Sequence, residues 1–148
     1  MNNLESILAL WKKDCIIDEI QLDEASRDSA KLHSKYLDLY SVNRLKQKDL
    51  DLKYKIILRD KFKHYGGKLS QQEMDHKGWE YDPLGGHTVL KGDLDKWYDA
   101  DEVIQEHQKR MAVQDEVVST LKEIMENIKW RHQTIKNMIE WRKFTSGI

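Results

Sequence analysis

The sequence predicts a mainly α-helical protein made of long helices, and three observations carry that prediction. Only one proline and seven glycines punctuate 148 residues, so little interrupts a helix once it has started. Towards the carboxyl terminus, apolar residues recur every seven positions, the spacing of a helical packing seam. With 34% charged and 39% hydrophobic residues and a mean hydropathy of -0.78, the chain is more polar than a compact globule of this length needs. Its apolar stripes are therefore expected to find partners in an elongated or assembled helical bundle.

The elements follow in order. Asn3 caps a short first helix whose Leu4, Ile7, Leu8 and Trp11 fall at helical spacing, and Lys12 and Lys13 suit its carboxyl end. Asp18 is the next capping candidate, after which Leu22, Ala25, Ser29, Leu32, Tyr36 and Leu39 repeat at alternating spacings of three and four. The apolar stripe then resumes one residue early at Val42, Leu45, Leu52 and Ile56. Either one long helix is locally overwound there or two helices meet at residues 41–43; with no Gly or Pro at the slip, continuity is the favoured reading. Gly66-Gly67 marks the stop. Over residues 68–94 the helical period disappears, and Gly78, Asp82-Pro83, Gly85-Gly86 and Gly92 break up an acidic loop. Within it, "WEYD" and "HTVL" around "PLGG" form either a short β-hairpin or a partly mobile loop.

From about Asp95 a single long helix is expected, ending before Gly147. Ile104, Met111, Val118, Met125, His132 and Ile139 are seven apart, with His107, Gln114, Leu121, Ile128, Ile135 and Arg142 interleaved. Val117, Ile124 and Met138 widen the face beyond a two-stranded coiled coil, which favours bundle or ring packing. The candidate oligomerisation residues are Ile104, Met111, Val118, Leu121, Met125, Ile128, Ile135 and Ile139. His107, Gln114 and His132 either fix register or are ordinary hydrogen-bonded interface residues. The segments read as a helical region over 1–67, an acidic loop or hairpin over 68–94 and a heptad-patterned helix over 95–148, together one structural unit.

Catalytic and ligand-binding constellations fail on inspection. "GGKLS" resembles a phosphate-binding loop only faintly, because Phe62 stands where the first glycine belongs and Leu69 where a hydroxyl would hold magnesium. "DLDKWYDADE" spaces its aspartates like a calcium loop, yet Trp97 falls on a ligand position, Tyr98 replaces the required glycine and Ile104 the closing glutamate. The six histidines show no metal spacing. Cys15 is the only cysteine, which excludes a disulfide within the chain and suits a reducing compartment. No apolar run approaches a membrane span and no signal peptide is evident, so a soluble, intracellular, non-enzymatic protein without metal or cofactor is expected.

The formal net charge of -1 conceals a segregation: residues 42–68 carry a net +6 and residues 69–106 a net -7. Asymmetry of this kind speaks about partners. On a helix, Lys48, Lys55, Arg59 and Lys63 share one face, while Lys61 and Lys68 extend the charge toward the glycine turn. Tyr54, Phe62, His64 and Tyr65 add rings on which unpaired bases could stack. A solvated face, or pairing with the acidic stretch that follows, is the alternative. A membrane-surface role is weaker, because no strong apolar face opposes the charge.

"WKKD" followed by "ID", then "EA" and "SKYL", the run "LRDKFKHYGG", "TVLKGD" and the terminal "IKNMIEWRKFTSG" together resemble, in order and spacing over nearly the whole chain, the UvsY family of phage recombination mediators. The family's two basic motif positions carry over onto Arg59 and Lys61, exchanged as Arg-then-Lys with charge kept. Lys63 replaces an acidic residue and His64 the first aromatic, which preserves backbone binding and leaves the stacking contribution open. The resemblance implies a ring-like homo-oligomer of about six or seven subunits. Such a ring would bind single-stranded DNA and help a RecA-like, UvsX-like recombinase nucleate on DNA covered by the phage single-stranded-DNA-binding protein, in the cytoplasm of the infected bacterium. The candidate DNA contacts are then Lys55, Arg59, Lys61, Lys63 and Lys68, with Tyr65 as a candidate stacking ring, and the acidic loop is offered to a basic surface on a protein partner. The competing reading is a helical scaffold or adaptor that acts through protein contacts alone.

Overall fold

The computed structural model describes residues 3–147. Helix α1 spans Asn3–Asp14, α2 Leu22–Tyr65 and α3 Gln71–Lys77; a 3-10 turn at Lys91–Asp93 leads into α4, Leu94–Ala100, and α5 spans Glu102–Thr145. No strand occurs among the described residues, and none of their helices is long and apolar enough to cross a membrane. The chain divides into two compact units, one formed by residues up to Gln47 and from Val113 onward, the other by Lys48–Ala112. Both 44-residue helices, α2 and α5, therefore contribute to each unit.

Helix α2 is continuous through residues 41–43. Its inward positions run Leu22, Ser29, Tyr36, Asn43, Leu50, Ile57 and His64, an unbroken seven-residue repeat in which every member is buried or half-buried. The apparent slip arises because the repeat is polar at Asn43 and His64, while Val42, Leu45, Leu52 and Ile56 lie on the exposed side. Hydrophobicity and burial part company along this half of the helix. At Asn43 the polar layer is satisfied: its side-chain oxygen accepts from Asn3 Nδ2 at 2.8 Å and Gln114 Nε2 at 3.1 Å, and its amide donates to the Leu39 carbonyl at 2.8 Å.

The first unit is a packing of α1, α2 and α5. Ile7, Tyr36, Val117, Leu121, Ile124 and Ile128 form its main core, and Leu22, Ala25 and Ile135 a smaller one. Each fully buried Leu or Ile contributes on the order of 2 kcal/mol. Trp11 meets the Tyr36 ring edge-on, with centroids 5.5 Å apart, and the Tyr36 hydroxyl donates to Asp14 Oδ2 at 3.0 Å. Arg131 ties α5 to the end of α1, donating from Nη1 to the Cys15 carbonyl and from Nη2 to the Ile16 carbonyl, both at 3.2 Å. A cation at the carboxyl end of a helix is favoured by the helix dipole.

Two expectations change on α5. It begins at Glu102 and not near Asp95, because Asp101 interrupts the helix and caps the new one through bonds from the Val103 and Ile104 amides at 2.9 and 3.0 Å. Its buried face also changes phase: Ile104, His107, Met111 and Gln114 lead to Val117, Leu121, Ile124, Ile128, Arg131, Ile135 and Met138. The extra three-residue step between Gln114 and Val117 is a stammer. Of the candidate oligomerisation residues, Ile104, Leu121, Ile128 and Ile135 are thus buried within the chain's own cores, Met111, Val118 and Met125 are half-buried, and Ile139 is exposed. The chain's own helices thus cover Ile104, Leu121, Ile128 and Ile135, while Met111, Val118, Met125 and Ile139 keep part of their surface open.

Residues 79–90 are irregular apart from a turn over 83–86, so of the two readings offered for this stretch the hairpin has no strands to form it. The preceding stretch holds α3 where a loop was expected.

Candidate nucleic-acid interface

The second unit is organised around the end of α2. Gly67, at φ 69°, takes the left-handed conformation that closes the helix. Its amide bonds the His64 carbonyl at 3.2 Å and the Lys68 amide bonds the Lys63 carbonyl at 2.8 Å, the paired bonds of a Schellman turn. Ser70 then opens α3 with a capping box: Ser70 Oγ accepts from the Glu73 amide, and the Glu73 carboxylate accepts from the Ser70 amide, each at 3.1 Å. A second left-handed glycine, Gly78, ends α3 and returns Trp79 to the inner face of α2. There the Trp79 ring lies 4.0 Å from Lys61 Nζ and 5.1 Å from the His64 ring. His64 Nε2 donates to the Glu80 carbonyl at 2.6 Å.

Asp101 is the hub of this unit. While Oδ1 caps α5, Oδ2 accepts from Lys61 Nζ at 3.0 Å and from the Tyr65 hydroxyl at 2.7 Å. Burial alone would push the Asp101 carboxyl up, but the bonds from Tyr65, the Ile104 amide and Lys61 together hold it below its ordinary value. The Tyr65 hydroxyl is raised well above its own, by burial and by the carboxylate it bonds.

The outer face of α2 is different in kind. Lys48, Lys55, Arg59 and Lys63 are exposed along it, interleaved with exposed Leu52, Ile56 and Phe62. Lys55 pairs with Asp51 at 3.5 Å and Arg59 with Asp60 at 3.2 Å. The Lys55–Asp51 pair is exposed on both sides, worth little and screened by salt, so a polyanion can replace that carboxylate at small cost, whereas Asp60 is only 13% exposed. Asp60 is also held by Lys77 at 3.1 Å. Lys63 and Lys68 are exposed and form no ion pair among the described residues.

Of the six candidate DNA contacts, the structure therefore brings Lys55, Arg59, Lys63 and Lys68 to solvent. Lys61 points the other way, only 5% exposed, and pairs with the acidic stretch through Asp101. Tyr65 is half-buried with its hydroxyl committed. Two further rings are also engaged: Tyr54 stacks on His107 with centroids 5.7 Å apart, and His64 sits under Trp79. Trp79 and Asp101, which position Lys61 and Tyr65, escaped the sequence reading; Ser70-x-x-Glu73 before Gly78 was the available signal for the helix that places Trp79. Among the described residues no cluster of His, Cys, Asp or Glu is arranged to hold a metal ion.

Two long helices and a cationic outer face thus define an all-helical protein with a surface suited to a polyanion. Residues 10–148 match the family model described as "Recombination, repair and ssDNA binding protein UvsY", and the chain belongs to the UvsY family. Its fold is that of the bacteriophage T4 recombination mediator protein UvsY. The crystal structure in lattice type II is 19% identical, with a TM-score of 0.81 over 99% of both chains. Those in lattice types IV and I are 18% and 19% identical, each with a TM-score of 0.78 over 97% of this chain and 99% of that one. No match is found among curated proteins.

Proposed function

We propose that this protein is a single-stranded-DNA-binding recombination mediator that promotes loading of a RecA-like phage recombinase onto DNA covered by the phage single-stranded-DNA-binding protein, in the cytoplasm of the infected host. The observation that carries the reading is the outer face of α2, where Lys55, Arg59 and Lys63 stand one helical turn apart and lead to Lys68 beyond the glycine turn, with Lys63 and Lys68 in no ion pair among the described residues. Like charges so spaced destabilise an isolated helix and are relieved by phosphates. Lys61 takes a different role from its neighbours: it positions the face by anchoring α2 to Trp79 and Asp101.

One such face per subunit binds weakly. In a ring-like homo-oligomer of about six or seven subunits, contacts after the first act at high effective concentration, so repetition converts weak binding into tight binding and wraps the strand in a fixed path. The subunit contacts fall to apolar residues the chain itself leaves uncovered. Trp130, Trp141 and Phe144 are exposed on α5, with the last two rings stacked at 5.7 Å.

The test is recombinase assembly on single-stranded DNA already covered by the phage binding protein, followed by the recombinase's DNA-dependent ATP hydrolysis. Addition of this protein is expected to shorten the lag, and the Lys63→Ala, Lys68→Ala variant to leave it unchanged. An unshortened lag with wild-type protein, despite DNA binding, contradicts the mediator role.

A further inference from the structure

Beside the glycine turn at the end of α2 lies a groove of about 370 Å³, bounded by Phe62, Tyr65, Val89 and Leu90 and carrying Lys68 and Lys91. We propose that this groove takes one unpaired nucleic-acid base per subunit, with Lys68 and Lys91 holding the flanking phosphates. The inference rests on the single-stranded-DNA reading above and adds to it a base-stacking site separate from the phosphate contacts along α2.

Three features argue for it. Phe62 is a large ring left 53% exposed; it belongs to neither core and remains free for contact, unlike Tyr54 and His64. Tyr65 lines the groove with a ring that is already fixed, since its hydroxyl bonds Asp101 at 2.7 Å and its ring packs near Trp97 and Tyr98, with centroids 6.2 and 6.1 Å away. A preset wall loses little freedom when a ligand arrives. Finally, Lys68 and Lys91 are both exposed and form no ion pair among the described residues, so the rim is complementary to a polyanion that offers a flat apolar group. A single-stranded polynucleotide has that composition: every base has a face to stack, and each is flanked by phosphates. The volume lies at the small end of the about 300–1,000 Å³ typical of small-molecule sites, which suits one heterocycle better than a run of peptide side chains.

The experiment compares binding of the full-length protein to a thymidine oligomer and to an abasic deoxyribose-phosphate oligomer with the same number of phosphates, across a salt series. Wild type is expected to favour the thymidine oligomer by at least about tenfold, the scale of one stacked base. Phe62→Ala should abolish that preference while keeping the salt slope and the oligomer size; Phe62→Trp should retain the preference, and Leu90→Ala should reduce it. Both changed residues are exposed, so folding is not at stake. Equal binding of the two oligomers by wild type would overturn the base site while leaving phosphate binding in place. A Phe62→Ala protein that keeps the full preference would place the bases elsewhere and also overturn it. Binding of neither oligomer would sink the DNA reading itself, and the base site with it.

Discussion

Lys61 and Asp101 form an ion pair, 3.0 Å between Nζ and Oδ2, with both side chains nearly closed to solvent. The lysine comes from the middle of the most basic stretch and the aspartate from the acidic stretch that follows, so the segregated charges meet at one buried point. Removing one partner strands the other: Lys61→Ala is expected to destabilise the protein by roughly 3 kcal/mol, the scale for an uncompensated buried charge. Urea unfolding measures it. Lys61→Met combined with Asp101→Asn should lose less than the two single changes added together, as coupled neighbours do. Additive losses would mean that the two side chains are not coupled.

The carboxyls of Asp14, Asp60 and Asp101 are all held below the ordinary 3.8 despite burial, by Lys35 and Tyr36, by Lys77 and Arg59, and by Tyr65 and Lys61 respectively. A depressed folded value means that the folded state binds fewer protons than the unfolded chain, so this stability is complete above the unfolded value and is lost as pH falls below it. Thermal scans should show the midpoint falling as the solution is acidified through and below 3.8, with a shallower fall in Asp101→Asn. Tyr65 and Tyr36 have the opposite sign. Their raised values give stability that is complete below the ordinary 10.0 and is lost at higher pH, and Tyr65→Phe should flatten that alkaline limb.

Assembly and folding should separate along α5. Leu121→Ala removes a side chain from the main core and is expected to cost about 2–5 kcal/mol of stability. Trp141→Ala with Phe144→Ala removes rings that the chain leaves in solvent, so it should reduce the sedimenting mass of the proposed ring and lower the unfolding midpoint only by the stabilisation that assembly itself supplies. A double variant that sediments like wild type would move the subunit interface to another face.

Much of the fold was legible. Scarce Gly and Pro, the three-and-four spacing from Leu22 to Leu39 and the Gly66-Gly67 stop all correspond to what is built. The misplaced stripe of α2 and the misassigned Lys61 share one cause: pattern reading equates apolar with buried. Val42, Leu45, Leu52 and Ile56 are apolar and exposed, whereas Asn43, Lys61, His64 and Arg131 are polar and buried, each held by partners far away in sequence. For the same reason Lys61, adjacent in sequence to Asp60 and Phe62, could not be told from its exposed neighbours without Trp79 and Asp101. The break at Asp101 depends on one carboxylate serving a cap, a lysine and a tyrosine at once, and no local spacing encodes that. Arg59 and Lys63, by contrast, stand where helical periodicity put them.

The most direct test of the account is single-stranded-DNA binding across a salt series for wild type and for Lys63→Ala with Lys68→Ala, after matched oligomer size has been confirmed. These two lysines are exposed and form no ion pair among the described residues, so their removal leaves the fold intact, as removal of Lys61 would not. Wild-type affinity should fall steeply with salt. In the variant, binding should be weaker and the slope shallower by about 0.7 for each phosphate no longer neutralised. Identical curves for the two proteins, or no binding by either, would contradict the account and leave the charge on α2 to a protein partner.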